Sequence, residues 1–303
     1  MRKTFGTVIF AAAVEGYLMK KNNIYSIWFA VPALSLFTIF FIVPMFISFF
    51  FSLTVWNLKS FTFCGLDNFK LFFTEHSMNL SVRNTLVYAF VTCSVKLILS
   101  FFIAILLSSS LKTKNILRAV VFFPTLVSTI AVGITFSALM HPTKGLFNVI
   151  LQSLGMTPVD WLGNTKLALF SVAFTDIWKG VGIATVIFLS GIQSISRDYY
   201  EAAVIDGANY VQRICFITVP LSKPARNSII ILALIGGLKS FDLIWTMTGG
   251  GPGFATDVLA SVIYKQYAAG FYGLSTAGNV IMFVFITAIV LPLQRYLIKK
   301  EEQ

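Results

Sequence analysis

The chain is too apolar for an ordinary soluble domain. Of its 303 residues, 57% are hydrophobic and 12% are charged, whereas soluble domains average about 25% charged residues. The net charge of +11 does not indicate a nucleic-acid partner, because the basic residues lie between apolar runs and form no single stripe. The composition therefore favours a protein whose main partner is the lipid bilayer.

Cysteine and histidine give no sign of a metal or redox site. Cys64, Cys93 and Cys215 lie in three separate segments without C-x-x-C spacing, which indicates neither a disulfide framework nor a zinc site. His76 and His141 each stand alone in a polar segment. We therefore expect no metal and no catalytic residue in this chain.

Six apolar stretches are long enough to cross a membrane. A hydrocarbon core about 30 Å thick requires roughly 20 mostly apolar residues per helix. The sequence thus predicts an all-α, polytopic membrane protein with six transmembrane helices. The predicted spans are residues 24–53, 84–109, 119–140, 167–192, 225–247 and 274–297.

The distribution of Lys and Arg predicts the orientation, because cytoplasmic loops retain an excess of both residues. Six spans place both termini on one side. That side carries fourteen basic residues: Arg2, Lys3, Lys20, Lys21, Lys112, Lys114, Arg118, Arg197, Arg213, Lys223, Arg226, Arg295, Lys299 and Lys300. The other side carries Lys59, Lys70, Arg83, Lys144, Lys166 and Lys265. Both termini are therefore predicted to be cytoplasmic.

A single membrane domain is expected, because the chain shows no repeat and no Ser/Gly linker. We divide it into an N-terminal extension, residues 1–23, a six-helix domain, residues 24–297, and a C-terminal tail, residues 298–303. The extension superficially resembles a signal peptide, but Glu15 interrupts its apolar stretch. We assign it no function.

A polar segment, residues 197–220, joins the fourth and fifth spans on the predicted cytoplasmic side. Helix formers lead to Asp206-Gly207, where glycine can take the left-handed conformation that ends a helix. A second helix is predicted up to Phe216, with Pro220 closing it. The segment should form two short helices with a bend at Gly207.

This segment resembles the hallmark loop of the membrane subunits of bacterial ABC importers, in which Glu-Ala-Ala precedes Gly, Ile and Leu-Pro at fixed spacings. The matching residues are Glu201, Ala202, Ala203, Gly207, Ile217 and Pro220, and Val219 stands where Leu is usual. Further motifs resemble the carbohydrate subfamily, which includes the maltose and glycerol-3-phosphate permeases. They are Asp206-Gly207-Ala208, Arg118 with Phe123-Pro124, Gly145 with Asn148, Trp161-Leu162 and Thr248-Gly249-Gly250-Gly251-Pro252.

The resemblance implies a type I (MetI-like) permease fold in the bacterial plasma membrane. It implies that residues Glu201, Ala202, Ala203, Asp206, Gly207, Ile217 and Pro220 couple the chain to a cytoplasmic ATPase. The implied partners are a second homologous permease, two copies of the ATPase and an extracytoplasmic solute-binding protein, with a sugar-like substrate. ATP and Mg would be used by the ATPase and no cofactor by this chain, whose sequence has no G-x-x-x-x-G-K-S/T phosphate loop.

Charged residues within spans are functional candidates because they are costly at membrane depth. Asp176 with Lys179, and Lys239 with Asp242, are each spaced i,i+3, which predicts that each pair shares a helical face. Both pairs could neutralise themselves or line the transport pathway. Lys96 has no local partner in the sequence, and its role stays open.

Two aromatic residues adjoin these charges and could stack on a sugar ring. They are Trp178 and Phe241, although ordinary helix packing explains an aromatic residue equally well. In the maltose relative, the middle parts of the fourth and fifth spans line the sugar site. The resemblance therefore favours Phe241 and Asp242 over Trp178 as substrate-pathway residues.

Two other functions were weighed against an ABC importer subunit. A secondary transporter driven by an ion gradient could use Asp176 and Asp242 as proton or sodium sites, but such a transporter has no need of the coupling loop. A membrane-bound enzyme is disfavoured because no His/Asp/Glu cluster shows motif spacing.

Overall fold

The computed structural model of the protein describes residues 27–109 and 112–301. The predicted extension, residues 1–23, lies outside the described residues. The chain divides into two compact units, residues 1–47 and residues 48–303. The described part of the first unit is helical throughout. Helix α1 runs from Trp28 to Ser52 and so includes the boundary between residues 47 and 48.

Helix α1 changes its winding next to a proline. A π-helical turn, Thr38–Ile42, lies directly before Val43-Pro44, and α-helix resumes at Val43–Ser52. Proline has no N–H to donate, and its ring clashes with the carbonyl four residues back. A local π turn changes the hydrogen-bond register, so the apolar helix continues through Pro44.

The second unit is helical apart from one hairpin. Strands β1 (Thr54–Trp56) and β2 (Phe61–Phe63) pair antiparallel, with Val55 opposite Thr62. The helices that follow are α2 (Asp67–Thr74), α3 (His76–Ser108), α4 (Lys114–Leu126), α5 (Thr129–Leu139), α6 (Leu146–Ser153), α7 (Ala168–Gln193), α8 (Arg197–Ile205), α9 (Tyr210–Leu221), α10 (Lys223–Leu238), α11 (Asp242–Thr248), α12 (Leu259–Ala268) and α13 (Tyr272–Glu301).

The all-α membrane fold predicted from the sequence is confirmed, but two spans are not continuous. Helices α1, α3, α7 and α13 are each long and apolar enough to cross a membrane. The stretch predicted as one span at 119–140 is instead α4 and α5, which meet at an angle of 98°. The stretch predicted at 225–247 is α10 and α11, bent by 44°. The count of six holds when each bent pair is one span.

The break between α4 and α5 lies just after a proline and consists of two extended residues. Pro124 lies inside the last turn of α4 and cannot donate a helix hydrogen bond. Val127 and Ser128 then take extended backbone conformations before α5 begins. Hydropathy alone does not reveal such a break, because every residue around it is apolar or small.

The core of the second unit lies among α3, α7 and α10. Buried side chains that pack together there include Leu107 from α3, Phe188 from α7 and Ile229 from α10. A second cluster joins Tyr88 of α3 to the two half-helices α5 and α11. Helix α13 continues to Glu301, so the boundary predicted at residue 298 falls inside this helix.

Candidate functional site

Helix α8 carries the first half of the predicted coupling segment. The Ser196 hydroxyl accepts a hydrogen bond from Asp198 N at 3.3 Å and caps the helix start. At the other end, Gly207 has φ +77°, and Ala208 N donates to Ala203 O at 2.8 Å. Left-handed glycine satisfies the last carbonyls of the helix without a side-chain penalty. The bend predicted at Gly207 is present.

The second helix of the segment is longer than predicted. Asn209 and Gln212 form a reciprocal cap at its start. The helix does not end at Phe216, because a π turn, Ile214–Thr218, leads through Pro220 to Leu221. The π turn stands before Pro220 just as the π turn in α1 stands before Pro44. The expectation that Pro220 closes this helix was therefore wrong.

The two short helices form one exposed surface. The Tyr200 hydroxyl lies 3.0 Å from Thr218 Oγ1 and ties α8 to α9. Large apolar side chains nevertheless face outward, with Ile205 86% and Phe216 78% exposed. Of the motif residues, Ala203, Ile217 and Pro220 are half-buried, whereas Glu201, Ala202, Asp206 and Gly207 are exposed. Such an apolar surface is typical of a contact face for another protein.

The charged residues inside the spans pair differently from the prediction. Lys96 Nζ of α3 lies 2.7 Å from Asp176 Oδ2 of α7, and both side chains are largely buried. Within residues 27–109 and 112–301, no ion pair joins Asp176 to Lys179 or Lys239 to Asp242. In this part of the chain neither i,i+3 pair neutralises itself, which was one of the two alternatives for each pair. Asp176 is instead paired by Lys96, the residue with no local partner in the sequence, from another helix.

The space for this ion pair comes from a glycine. A Cβ atom on Gly180 would lie 2.8 Å from Lys96 Cε and 2.9 Å from Lys96 Nζ. Tyr88, about two turns before Lys96 on α3, is 1% exposed, and its hydroxyl lies close to the side chains of Asp176 and Ser240. Sequence spacing gave no indication of this group, because its members come from α3, α7 and the connection between α10 and α11.

Two of the remaining predicted charges lie at the break in the fifth span, and the third, Lys179, lies in α7. Lys239 is exposed and follows the last residue of α10, and Asp242 is exposed and opens α11. Lys179 is half-buried, and its carbonyl accepts a hydrogen bond from Thr125 Oγ1 at 3.0 Å. The break thus presents two free charged side chains instead of an internal ion pair.

An aromatic cluster surrounds Phe241 at the same break. Its ring stacks on Trp245 with centroids 5.7 Å apart and meets Tyr264 at 5.3 Å. Phe241 and Tyr264 also line a cavity of about 310 Å³ together with Ser275 and Asn279. Trp245 follows Phe241 by four residues, so helical spacing in the sequence could have predicted that these two rings share a helix face. The same spacing could not have predicted Tyr264 and Asn279, because they lie on other helices.

Trp178 belongs to a different cluster. Its ring centroid lies 5.0 Å from that of Phe136 in α5. Phe136 also contacts Phe174 and Phe147. The structure therefore separates Trp178 from the Phe241 cluster, and its ring takes part in packing between α5 and α7.

An ion pair that the sequence did not predict stabilises the glycine-rich loop after α11. Asp257 is fully buried, and both its carboxylate oxygens accept hydrogen bonds from Lys265 Nζ, at 2.9 and 2.7 Å. A Cβ atom on Gly250 would collide with this carboxylate. The Asn84 side chain of α3 fixes the loop further by donating to the carbonyls of Phe254, Ala255 and Asp257.

Asn148 connects the residues of the motif that contains Gly145, Asn148 and Trp161. Its fully buried side chain accepts hydrogen bonds from Val159 N at 2.9 Å and Trp161 Nε1 at 3.1 Å. It also donates to the carbonyls of Pro142 and Val159. The pattern of Gly145, Asn148 and Trp161 therefore stabilises the connection between α5 and α7.

The chain is similar in sequence to sugar-transport permeases. It is 36% identical over 262 residues to the trehalose/maltose transport system permease protein MalF of Thermococcus litoralis, covering 86% of this chain and 89% of that protein. It is 33% identical over 295 residues to the multiple sugar-binding transport system permease protein MsmF of Streptococcus mutans, covering 94% and 99%.

A solved structure has the same fold. A chain of a bacterial alginate ABC transporter, crystallised in complex with an alginate pentasaccharide-bound periplasmic protein, superposes with a TM-score of 0.81 at 22% identity, covering 91% of this chain and 94% of that chain. Residues 96–303 match the family model of the binding-protein-dependent transport system inner membrane component. These residues include helices α8 and α9, the Lys96–Asp176 pair and the Phe241 cluster. The chain belongs to this family of transport permeases.

Proposed function

We propose that this chain is one permease subunit of an ATP-driven importer for a sugar or a related polar solute. The observation that carries the proposal is the two-helix segment, Arg197–Leu221, with left-handed Gly207 at its bend and an exposed apolar surface. This surface would dock on a cytoplasmic ATPase and transmit its closure to the spans. ATP hydrolysis would take place on that partner.

The assembly would contain three other kinds of protein. A second homologous permease would complete the pathway, and two ATPase copies would bind at the coupling segments. The family is named for binding-protein-dependent transport, which supports a solute-binding protein as the remaining partner. Both termini would be cytoplasmic, because the basic residues concentrate on the side that carries Arg197 and Arg213.

A sugar is the favoured substrate for two reasons. Relatives that match more than four fifths of the chain carry names of sugar transport systems. The cavity beside Phe241 also offers an aromatic ring together with the amide of Asn279, and aromatic faces with a few polar groups suit a sugar ring. Phe241 would supply the stacking surface, and Asp242 would accept hydrogen bonds from hydroxyl groups.

The ion-gradient alternative uses Asp176 and Asp242 as ion sites, and Lys96 already neutralises the carboxylate of Asp176. The two mechanisms are separated by uptake of labelled maltose or trehalose into proteoliposomes that contain the whole assembly. We expect uptake to require ATP on the ATPase side and to persist when ionophores collapse all ion gradients. Uptake that continues without ATP and stops with the gradient would overturn the importer function.

A further inference from the structure

Two adjoining cavities lie at the end of the bundle that carries α8 and α9. The first has a volume of about 530 Å³ and lies among the ends of α3 and α7, the start of α4 and both short helices. The second, about 660 Å³, lies between α4 and α7. Gln193, in the last turn of α7, lines both cavities, so they lie side by side.

The walls of these cavities are basic. Lys114, Arg197 and Arg213 line the first cavity and Arg118 lines the second, whereas no Asp or Glu side chain among the described residues lines either cavity. Lys114 and Arg118 are one helical turn apart on α4, whose first turn has no acidic residue. The N-terminus of a helix adds partial positive charge to this region.

None of these cations is neutralised within the described part of the chain, since its three ion pairs involve other residues. Arg118 Nε and Arg213 Nε are both buried without a hydrogen-bond acceptor. The acid closest in sequence to Arg197 is Asp198, whose carboxylate accepts a hydrogen bond from Ser196 instead. Buried polar groups are nearly always hydrogen-bonded, so two orphaned guanidinium nitrogens point to an absent acceptor.

We propose that these cavities form an anion site that binds a phosphate group. Guanidinium groups recognise phosphate through several parallel charge-assisted hydrogen bonds, and the hydroxyl group of Tyr210 on the cavity wall adds a further donor. The phosphate would belong to an anionic lipid headgroup or to a soluble phosphate compound. Because the site joins α4 and α7 to both short helices, its occupant would fix the two-helix segment against the spans.

The test uses the intact chain with the subunits that co-purify with it, in lipid nanodiscs. One arm measures equilibrium binding of radiolabelled inorganic phosphate in discs of phosphatidylcholine alone. The other uses native mass spectrometry to count phosphatidylglycerol molecules retained from mixed phosphatidylcholine and phosphatidylglycerol discs. Arg213→Gln and the exposed Lys114→Gln each remove one wall cation, and Arg295→Gln removes the same charge from an exposed site that lines neither cavity.

We expect one probe to bind the parent and to bind about 10-fold more weakly in Arg213→Gln and Lys114→Gln, since one charge-assisted contact is lost. Arg295→Gln should bind as the parent does. Phosphate binding identifies a soluble ligand, and selective phosphatidylglycerol retention identifies a headgroup. Binding of neither probe, or an equal loss in Arg295→Gln, overturns the proposal. A crosslink from Arg213→Cys to an acidic segment of a co-purified subunit would then assign the cavities to a protein carboxylate.

Discussion

Lys96 Nζ and Asp176 Oδ2 lie 2.7 Å apart and connect helices α3 and α7 across the interior of the bundle. Their side chains are 10% and 21% exposed, whereas those of the Lys70–Asp67 pair are 75% and 70% exposed. Because both side chains are shielded from solvent, this ion pair stabilises the contact between two spans. For the same reason, a single charge left there without its partner would lower the stability of the protein.

Neutralising one member of the interior pair should destabilise the protein. We expect Lys96→Met or Asp176→Asn to cost about 3–5 kcal/mol, because the remaining charge stays buried without a partner. The double variant should recover part of that loss. Thermal unfolding of the purified protein, followed by tryptophan fluorescence, measures the effect. Lys70→Met and Asp67→Asn are the matched controls, at less than about 1 kcal/mol. Equal shifts for both pairs would contradict this account.

Substitutions in the two-helix segment should separate insertion from coupling. Gly207→Val places a β-branched residue at φ +77°, which costs about 1–3 kcal/mol, and Ala203→Asp places a charge on the docking face. We expect both variants to reach the membrane but to lose uptake and ATPase co-purification. Gly155→Val is the control, because Gly155 has φ +75° outside the segment, and a Cβ there also meets nothing within 4 Å. Full uptake by both segment variants would show that this segment does not couple.

The Phe241 cluster should control substrate affinity. Loss of one good contact weakens binding by about 1–3 kcal/mol, which is about 5- to 150-fold in affinity. We therefore expect Phe241→Ala and Asp242→Ala to raise the half-saturation concentration for uptake while the ATPase still co-purifies. Phe174→Ala, in a separate aromatic cluster, serves as the control. Unchanged kinetics in both Phe241→Ala and Asp242→Ala would remove these residues from the pathway.

The proposed orientation can be tested with the native thiol of Cys215, which is exposed in the two-helix segment. In a Cys64→Ala, Cys93→Ala background, we expect a membrane-impermeant maleimide to label Cys215 only after the cells are permeabilised. The same background with Cys215→Ala and Lys59→Cys, an exposed position in the hairpin turn, should be labelled in intact cells. Labelling of Cys215 in intact cells would reverse the topology.

The sequence alone determined the features that depend on local chemistry and on hydropathy. Apolar runs fixed the membrane fold, because no other solvent accommodates them, and Asp206-Gly207 fixed the bend between α8 and α9, because only glycine readily takes that backbone conformation. The continuation of α9 through Pro220 was not predictable in this way. It depends on a π turn that changes the hydrogen-bond register just before the proline, whereas a proline by itself predicts the end of a helix.

Tertiary structure alone decided which charges meet. The spacing of Asp176 and Lys179 placed them on one face, yet Asp176 pairs with Lys96, which lies 80 residues earlier and enters the space left open by Gly180. Asp257 and Lys265 were brought together by the folding of a glycine-rich loop, and the walls of the first basic cavity by the meeting of five helices, α3, α4, α7, α8 and α9. The helical period of a sequence predicts only which residues are neighbours on the same helix. The energy of a buried charge depends on every helix packed around it.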